Sequence, residues 1–197
     1  MSHYRLLLIS LSLLSMVSCS SDTKETSQTP PPPEQIRALG ESDRERIAAF
    51  GKDLFDIEKI SASAMALVGN EIKQVITGQK ESVDVASLLD AAKGVAGESL
   101  ERMLNKKVPE KLPPWFARNL GEAKKGFADA YAAKTASFDE ERRFLEEKNP
   151  AALIEYKQKA ALADKTFRDA RDRLAAVLKA AGIQPREPVP AAGNTGA

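Results

Sequence analysis

Histidine and cysteine are almost missing from this chain of 197 residues. It has one of each, His3 and Cys19, and both lie within the first nineteen residues. Catalytic systems that pair serine or cysteine with histidine therefore have no imidazole in the rest of the chain. Zinc sites and haem attachment motifs need more histidine or cysteine than this, so the sequence excludes them as well. We predict no cofactor, no metal site and no catalytic residue.

The chain also has no large surplus of positive or of negative charge. Lys and Arg number 29 against 28 Asp and Glu, so no excess of positive charge favours binding to nucleic acid. Charged residues make up 29% of the chain, which excludes a protein that crosses a membrane several times. One apolar run, residues 6–17, stands out, and it is shorter than the roughly 20 residues that a membrane-spanning helix needs.

This apolar run has the features of a signal peptide. It follows a short polar start with one positive charge, Arg5, and it ends in Met16-Val17-Ser18-Cys19. The motif resembles the lipobox of bacterial lipoproteins, in which a small residue precedes the cysteine. The resemblance implies that residues 1–18 are removed and that acyl chains on Cys19 anchor the protein to a membrane. The alternative is an ordinary secretory signal peptide that leaves an unpaired Cys19 in an oxidising compartment.

The residue after the cysteine bears on the destination. In the enterobacterial pattern an aspartate there retains a lipoprotein at the inner membrane, and this chain has Ser20. The resemblance therefore implies an outer-membrane protein that faces the periplasm.

Both ends of the remaining chain lack the side chains for a core. Residues 20–35 contain no aliphatic or aromatic residue but do contain four consecutive prolines, Pro30 to Pro33. We predict a disordered, Pro-rich tether over residues 19–41, because such a segment cannot offset the entropy of folding. Residues 184–197 are rich in proline and small residues and predict a loose tail.

Between these segments, residues 42–183 show helical periodicity throughout. Ser42 and Glu45 have the spacing of a capping box for a first helix, and Gly78 offers its end. Asp84 can cap a second helix, Pro113 and Pro114 suit the start of a third, and Asn149-Pro150 suits the start of a fourth. We read Gly94 and Gly97 as points where another helix comes close.

The third and fourth helices carry the clearest apolar stripes. Phe116, Phe127 and Phe138 are eleven residues apart, nearly three helical turns, so they share one face with Leu120 and Tyr131. The fourth helix has two interleaved heptad series with small side chains, which predicts close antiparallel packing. The fold class is therefore all-α, an elongated antiparallel bundle of about four helices.

One turn between helices, residues 106–116, is a candidate docking site. It combines three prolines, several lysines and the only tryptophan of the chain. Lys107, Lys111, Trp115 and Phe116 could contact a partner such as an anionic glycan or lipid headgroup, because tryptophan is enriched at binding hot spots. In the alternative reading, Trp115 and Phe116 fold back and close the core while the lysines stay in water, as chain corners often do.

Carboxylates are the remaining catalytic candidates. Asp139, Glu140 and Glu141, with Glu146 and Glu147, cluster in the last third of the third helix, and a solvated helix face explains them better than a cation site or an acid and base pair. We therefore predict a non-enzymatic envelope lipoprotein that binds a protein or envelope partner. The alternatives are a carrier of hydrophobic ligands, a periplasmic chaperone or adaptor and, last, a carboxylate-dependent enzyme that cleaves glycans.

Overall fold

The computed structural model describes residues 30–76, 85–147 and 149–184, which form helices and turns with no strand among them. The helices are α1 (Pro33–Arg37), α2 (Glu41–Ile76), α3 (Val85–Asn105), α4 (Pro114–Glu147) and α5 (Pro150–Ala180). The prediction of an all-α bundle is confirmed, and α2 to α5 are its four long helices. The predicted signal peptide, Cys19, Gly78, Asp84 and most of the tether and tail lie outside the described residues.

The long helices pack in chain order with alternating direction. α4 contacts α5 over the greatest length and α3 next, α2 packs against α3, and α2 touches α5 at few positions. An ion pair shows the register of the first two long helices, since Asp53 in the first half of α2 meets Lys106 just after the end of α3. The result is a bundle in which α4 is flanked on two sides and the seam between α2 and α5 is the thinnest.

Two helix starts show the predicted kind of capping hydrogen bond, but at α2 this bond lies two residues earlier than predicted. Asn149 Oδ1 accepts a hydrogen bond from Ala151 N at 3.0 Å, with Pro150 in the first helical position, as predicted. α2 begins one residue before the predicted cap Ser42. The carboxylate of Asp43 accepts from the backbone amide of Gly40 at 3.1 Å, so the reciprocal capping bond spans residues 40 and 43 instead of 42 and 45.

A short helix, α1, lies in the segment that we predicted as tether. Pro33 occupies its first turn, where a missing amide hydrogen has no cost. Leu39 is buried after it, and Gln35 Oε1 accepts a hydrogen bond from Trp115 N at 2.8 Å. The predicted disordered tether is therefore too long at its C-terminal end, because Leu39 gives residues 33–40 an apolar contact with the bundle.

The predicted aromatic stripe of α4 forms the centre of the core. All five of its side chains are buried: Phe116, Leu120, Phe127, Tyr131 and Phe138. The prediction for Gly94 and Gly97 is wrong, since a methyl group added at either would meet no atom within 4 Å. The close approach is at Gly126, where an added Cβ would lie 2.9 Å from the Cβ of Ala170 on α5.

We call the end where α1, the start of α2 and the end of α5 meet the closed end. Gly182, with φ of 75°, ends α5 in a Schellman motif: Ile183 N donates to Leu178 O at 2.9 Å. Arg44 of α2 donates to the carbonyl of Ala181 at 2.6 Å and ties the two helices together. The opposite end, where the chain turns from α4 to α5, is the far end.

Candidate functional site

The turn between α3 and α4 is fixed at the closed end by polar contacts. Lys124 Nζ donates to the carbonyls of Leu104 and Lys106, each at 3.1 Å, and so caps the end of α3. Arg46 donates to the carbonyl of Glu110 at 2.7 Å. Lys111 has φ of 58°, the left-handed region that non-glycine residues rarely adopt. The turn is a rigid corner.

The structure separates the four residues of the predicted docking site into two groups. Lys107 and Lys111 are exposed, whereas Trp115 and Phe116 belong to the buried core cluster. The two rings pack edge to face with centroids 5.0 Å apart. The rings thus occupy the positions expected of the hydrophobic plug, and the two lysines are the part of the predicted site that is accessible.

The carboxylates of α4 are mostly engaged in ion pairs with neighbouring cations. Asp139 pairs with Lys93 of α3 at 2.6 Å, and Glu146 pairs with Arg142 at 2.7 Å. Glu140 is buried and accepts from Lys159 of α5 at 2.6 Å. The hydrogen bond from Lys159 lowers the pKa of Glu140. Asp139 and Glu140 thus link α4 to α3 and to α5, whereas the pair of Glu146 with Arg142 lies within α4.

Glu141 differs from the carboxylates beside it. It forms no ion pair with any residue that the structure describes, and burial raises its pKa above the usual 4.5. Tyr156 of α5 lies close enough to feel its charge: burial raises the pKa of Tyr156 to about 12, with the carboxylate of Glu141 as the second cause. This is the one perturbed carboxylate of the predicted cluster that lacks a described cation partner.

A polar layer crosses the bundle at the level of Tyr131. The hydroxyl groups of Ser61 of α2 and Ser99 of α3 are hydrogen-bonded to each other, and each also lies within hydrogen-bond distance of the carbonyl one turn earlier. Each hydroxyl carries one proton, so one serine donates to the other and the second donates to its carbonyl. The Tyr131 hydroxyl is buried and has no well-aligned hydrogen-bond partner among the described residues, although the two serines are near enough to affect its pKa. Burial raises that pKa, since the charged phenolate loses hydration.

Glu58 and Arg171 complete this layer on the side of α5. The two form an ion pair in which the Glu58 side chain is 8% exposed and the Arg171 side chain 32%. Burial lowers the pKa of Arg171, and its Nε meets no hydrogen-bond partner in the part of the chain that the structure describes. We define the polar layer as five residues: Glu58, Ser61, Ser99, Tyr131 and Arg171.

Sequence reasoning missed this layer although a signal was present. Glu58 and Ser61 continue the spacing of the buried residues Ile47, Phe50 and Leu54 along α2, so they fall on the same face. A polar residue at a core position predicts a buried polar contact. Its partners could not be named, because they come from three other helices.

Two surface features remain. A shallow groove of about 300 Å³ runs between α4 and α5, with Gly126 and Ala170 at its floor and charged residues along its sides. Among the side chains that the structure describes, five large apolar ones are exposed: Ile60, Leu67, Leu104, Ile154 and Leu162. The cations of the groove pair with carboxylates around it, as Arg173 does with Glu122, so the groove offers little free charge for a ligand.

Neither metal-binding clusters nor membrane-crossing helices were found in the described ranges. No group of three His, Cys, Asp or Glu side chains there is placed to hold a metal ion. None of the helices within residues 30–76, 85–147 and 149–184 combines the length and hydropathy needed to cross a membrane. The chain matches no family model, no curated protein and no solved structure.

Proposed function

We propose that the protein is a membrane-anchored lipoprotein of the bacterial cell envelope, whose helical bundle binds a protein or envelope partner. The observation that carries this proposal is the sequence Met16-Val17-Ser18-Cys19 at the end of the apolar run 6–17. Acylation of Cys19 would supply the anchor, since several acyl chains hold a protein at a bilayer without a basic patch. Ser20 favours the outer membrane, facing the periplasm.

Binding is favoured over catalysis by the residues available for chemistry. Beyond Cys19 the chain contains neither histidine nor cysteine. Asp139, Glu140 and Glu146 are each held by a cation of the bundle. An enzyme that relies on two carboxylates needs both of them in one cleft with opposed pKa shifts. Asp139 and Glu140 instead contribute to the contacts between helices, and Glu146 pairs within α4.

An adaptor role is favoured over the transport of a hydrophobic ligand. The aromatic stripe that would line a carrier's cavity is packed against α5, where the rings of Tyr131 and Phe167 meet edge to face at 4.9 Å. The accessible apolar groups lie outside instead, with Leu67 being 69% and Ile60 59% exposed. Ile60 and Leu67 are seven residues, about two helical turns, apart on α2 and so share one face, as the apolar side chains of a contact surface do.

Membrane fractionation of cells that express the full chain tests the anchor. The wild type should stay with the membrane through a high-salt wash, because acyl anchoring does not depend on charge. Cys19→Ser should release it into the soluble fraction. Ser18→Ala is the matched control, since it keeps a small residue before the cysteine and should remain bound. Persistent membrane association of Cys19→Ser would overturn the proposal.

A further inference from the structure

The chain joins the bundle at the closed end. From Pro30 the described backbone leads directly into α1, which is tied to the start of α4 by the hydrogen bond between Gln35 and Trp115. Leu39 is buried in the same core cluster as Trp115 and Phe116. Any connection from Cys19 therefore reaches the bundle beside the exposed corner that carries Lys107 and Lys111.

The length of this connection limits how far the closed end can lie from an anchor at Cys19. Eleven residue steps separate Cys19 from Pro30. At no more than about 3.6 Å per residue, they span at most about 40 Å. α4 has 34 residues and, at 1.5 Å each, separates the closed end from the far end by about 50 Å. The far end can therefore lie up to about 90 Å from the anchor, whereas the closed end must stay within about 40 Å of it.

Residues 106–118 of the corner carry more free cations than acids, whereas the neighbouring α1 and the start of α2 carry the exposed Glu34, Glu41 and Glu45. Lys107, Lys111 and Arg118 are exposed and form no ion pair with the residues that the structure describes, while Glu110 is the one acidic residue among residues 106–118. A lysine close to an anionic membrane surface favours contact by roughly fivefold. A tether of this length keeps the corner at high effective concentration near the surface, so a weak contact suffices.

We propose that the closed end faces the anchoring membrane, with Lys107 and Lys111 against anionic lipid headgroups, and that the far end is directed away from it. This inference rests on the proposed lipid anchor at Cys19. The partner of the corner is then the anchoring bilayer itself. The far end, where Leu67 and Ile154 are exposed, is the end available to a protein partner.

Energy transfer to a membrane-bound acceptor tests the orientation in the lipidated full chain. Ala38→Cys at the closed end and Ala151→Cys at the far end alter exposed alanines and introduce the only free thiol once Cys19 is acylated. Each variant carries a fluorescent donor and is reconstituted into vesicles of phosphatidylcholine and anionic phosphatidylglycerol that contain an acceptor lipid. We expect higher transfer from position 38 than from position 151.

Charge variants show whether the orientation comes from contact with lipid headgroups or only from the limited length of the tether. Lys107→Gln with Lys111→Gln should reduce the difference between positions 38 and 151 to the smaller value found in vesicles of phosphatidylcholine alone. Lys157→Gln with Arg168→Gln removes two exposed cations of α5 that form no ion pair with described residues and should leave the difference unchanged. Equal or higher transfer from position 151, or no effect of the corner variant, would overturn the proposed orientation.

Dye stoichiometry distinguishes this failure from failure of the anchor. One dye per chain means that Cys19 is blocked, as the proposed function requires, and the transfer values then decide the orientation. Two dyes per chain mean that Cys19 carries a free thiol, which would overturn the anchor and with it the orientation.

Discussion

At the closed end, Leu39, Trp115 and Phe116 pack into an apolar core that α1 and the end of α5 cover, whereas the middle of the bundle is crossed by the polar layer. Beyond this layer, toward the far end, Leu67, Ile154 and Leu162 are exposed. The bundle thus has a covered apolar core in the half at the closed end, which we call the sealed half, and more polar contacts in the half toward the far end. Stability should come mainly from the sealed half, while the polar layer fixes the register between helices.

The largest expected effect is at Phe127, on the closed side of the layer. Its side chain is fully buried, and its ring lies 6.3 Å from that of Phe167. Phe127→Ala should lower the free energy of unfolding by about 3 to 5 kcal/mol, because it opens a cavity that the neighbours cannot fill. Phe127→Leu should lower the free energy of unfolding by a clearly smaller amount. Chemical denaturation measures both, and unchanged stability of Phe127→Ala would contradict the helix register.

A smaller effect is expected when the ion pair of the polar layer is broken. Glu58→Met leaves the partly buried Arg171 without its partner and should cost about 2 kcal/mol, less than for a fully buried pair because Arg171 remains one-third exposed. Replacing both residues with methionine should restore most of the loss. A double-mutant cycle measures the coupling, and additive single effects would argue against a buried pair.

Two glycines within helices should differ in how substitution by alanine changes stability: one variant should be more stable than the wild type and the other less stable. Gly94→Ala lies in open space on α3 and should stabilise the protein by up to about 1 kcal/mol through helix propensity. Gly126→Ala would place its methyl group against Ala170 and should destabilise it, because α4 and α5 must separate. Thermal unfolding of the two variants compares them directly. A stabilising Gly126→Ala would contradict the close approach of α4 and α5.

The smallest effects are the pH dependences of two adjacent carboxylates. The pKa of Glu140 is lowered in the fold, so its charge stabilises the protein above pH 4.5 and this contribution is lost as the pH falls through the lowered pKa. The pKa of Glu141 is raised, so its contribution is present below pH 4.5 and is lost as the pH rises through the raised pKa.

The two glutamine variants should therefore differ in sign. At neutral pH, Glu140→Gln should lower the melting temperature and Glu141→Gln should raise it. Both differences from the wild type should shrink in acid, where the wild-type carboxyls are protonated. Melting curves followed by circular dichroism at several pH values check this, and two shifts of the same sign at neutral pH would contradict the different environments of the two side chains.

Periodicity along single helices predicted much of this fold. The stripe from Phe116 to Phe138 and the cap at Asn149 needed only local spacing, and both are confirmed. The polar layer and the close approach at Gly126 depend on which residues of different helices lie at the same level along the bundle axis. The spacing within one helix does not specify that level, which is why the predicted contact at Gly94 is wrong.

The candidate site was predictable only in part. The corner of residues 106–116 was recognisable from its prolines and lysines, but the hydrogen bond from Trp115 N to Gln35 depends on α1, whose helical turn the four prolines concealed. The raised pKa of Glu141 depends on packing between α4 and α5, which the charged sequence around it does not reveal.

The most direct test of the account is the intact mass of the protein extracted from the membranes of cells that express the full chain. We expect a polypeptide that begins at Cys19 and carries the added mass of acyl chains, localised to Cys19 by fragmentation. A product that retains residues 1–18, or one that begins near residue 19 with no acyl mass, would contradict the lipid anchor.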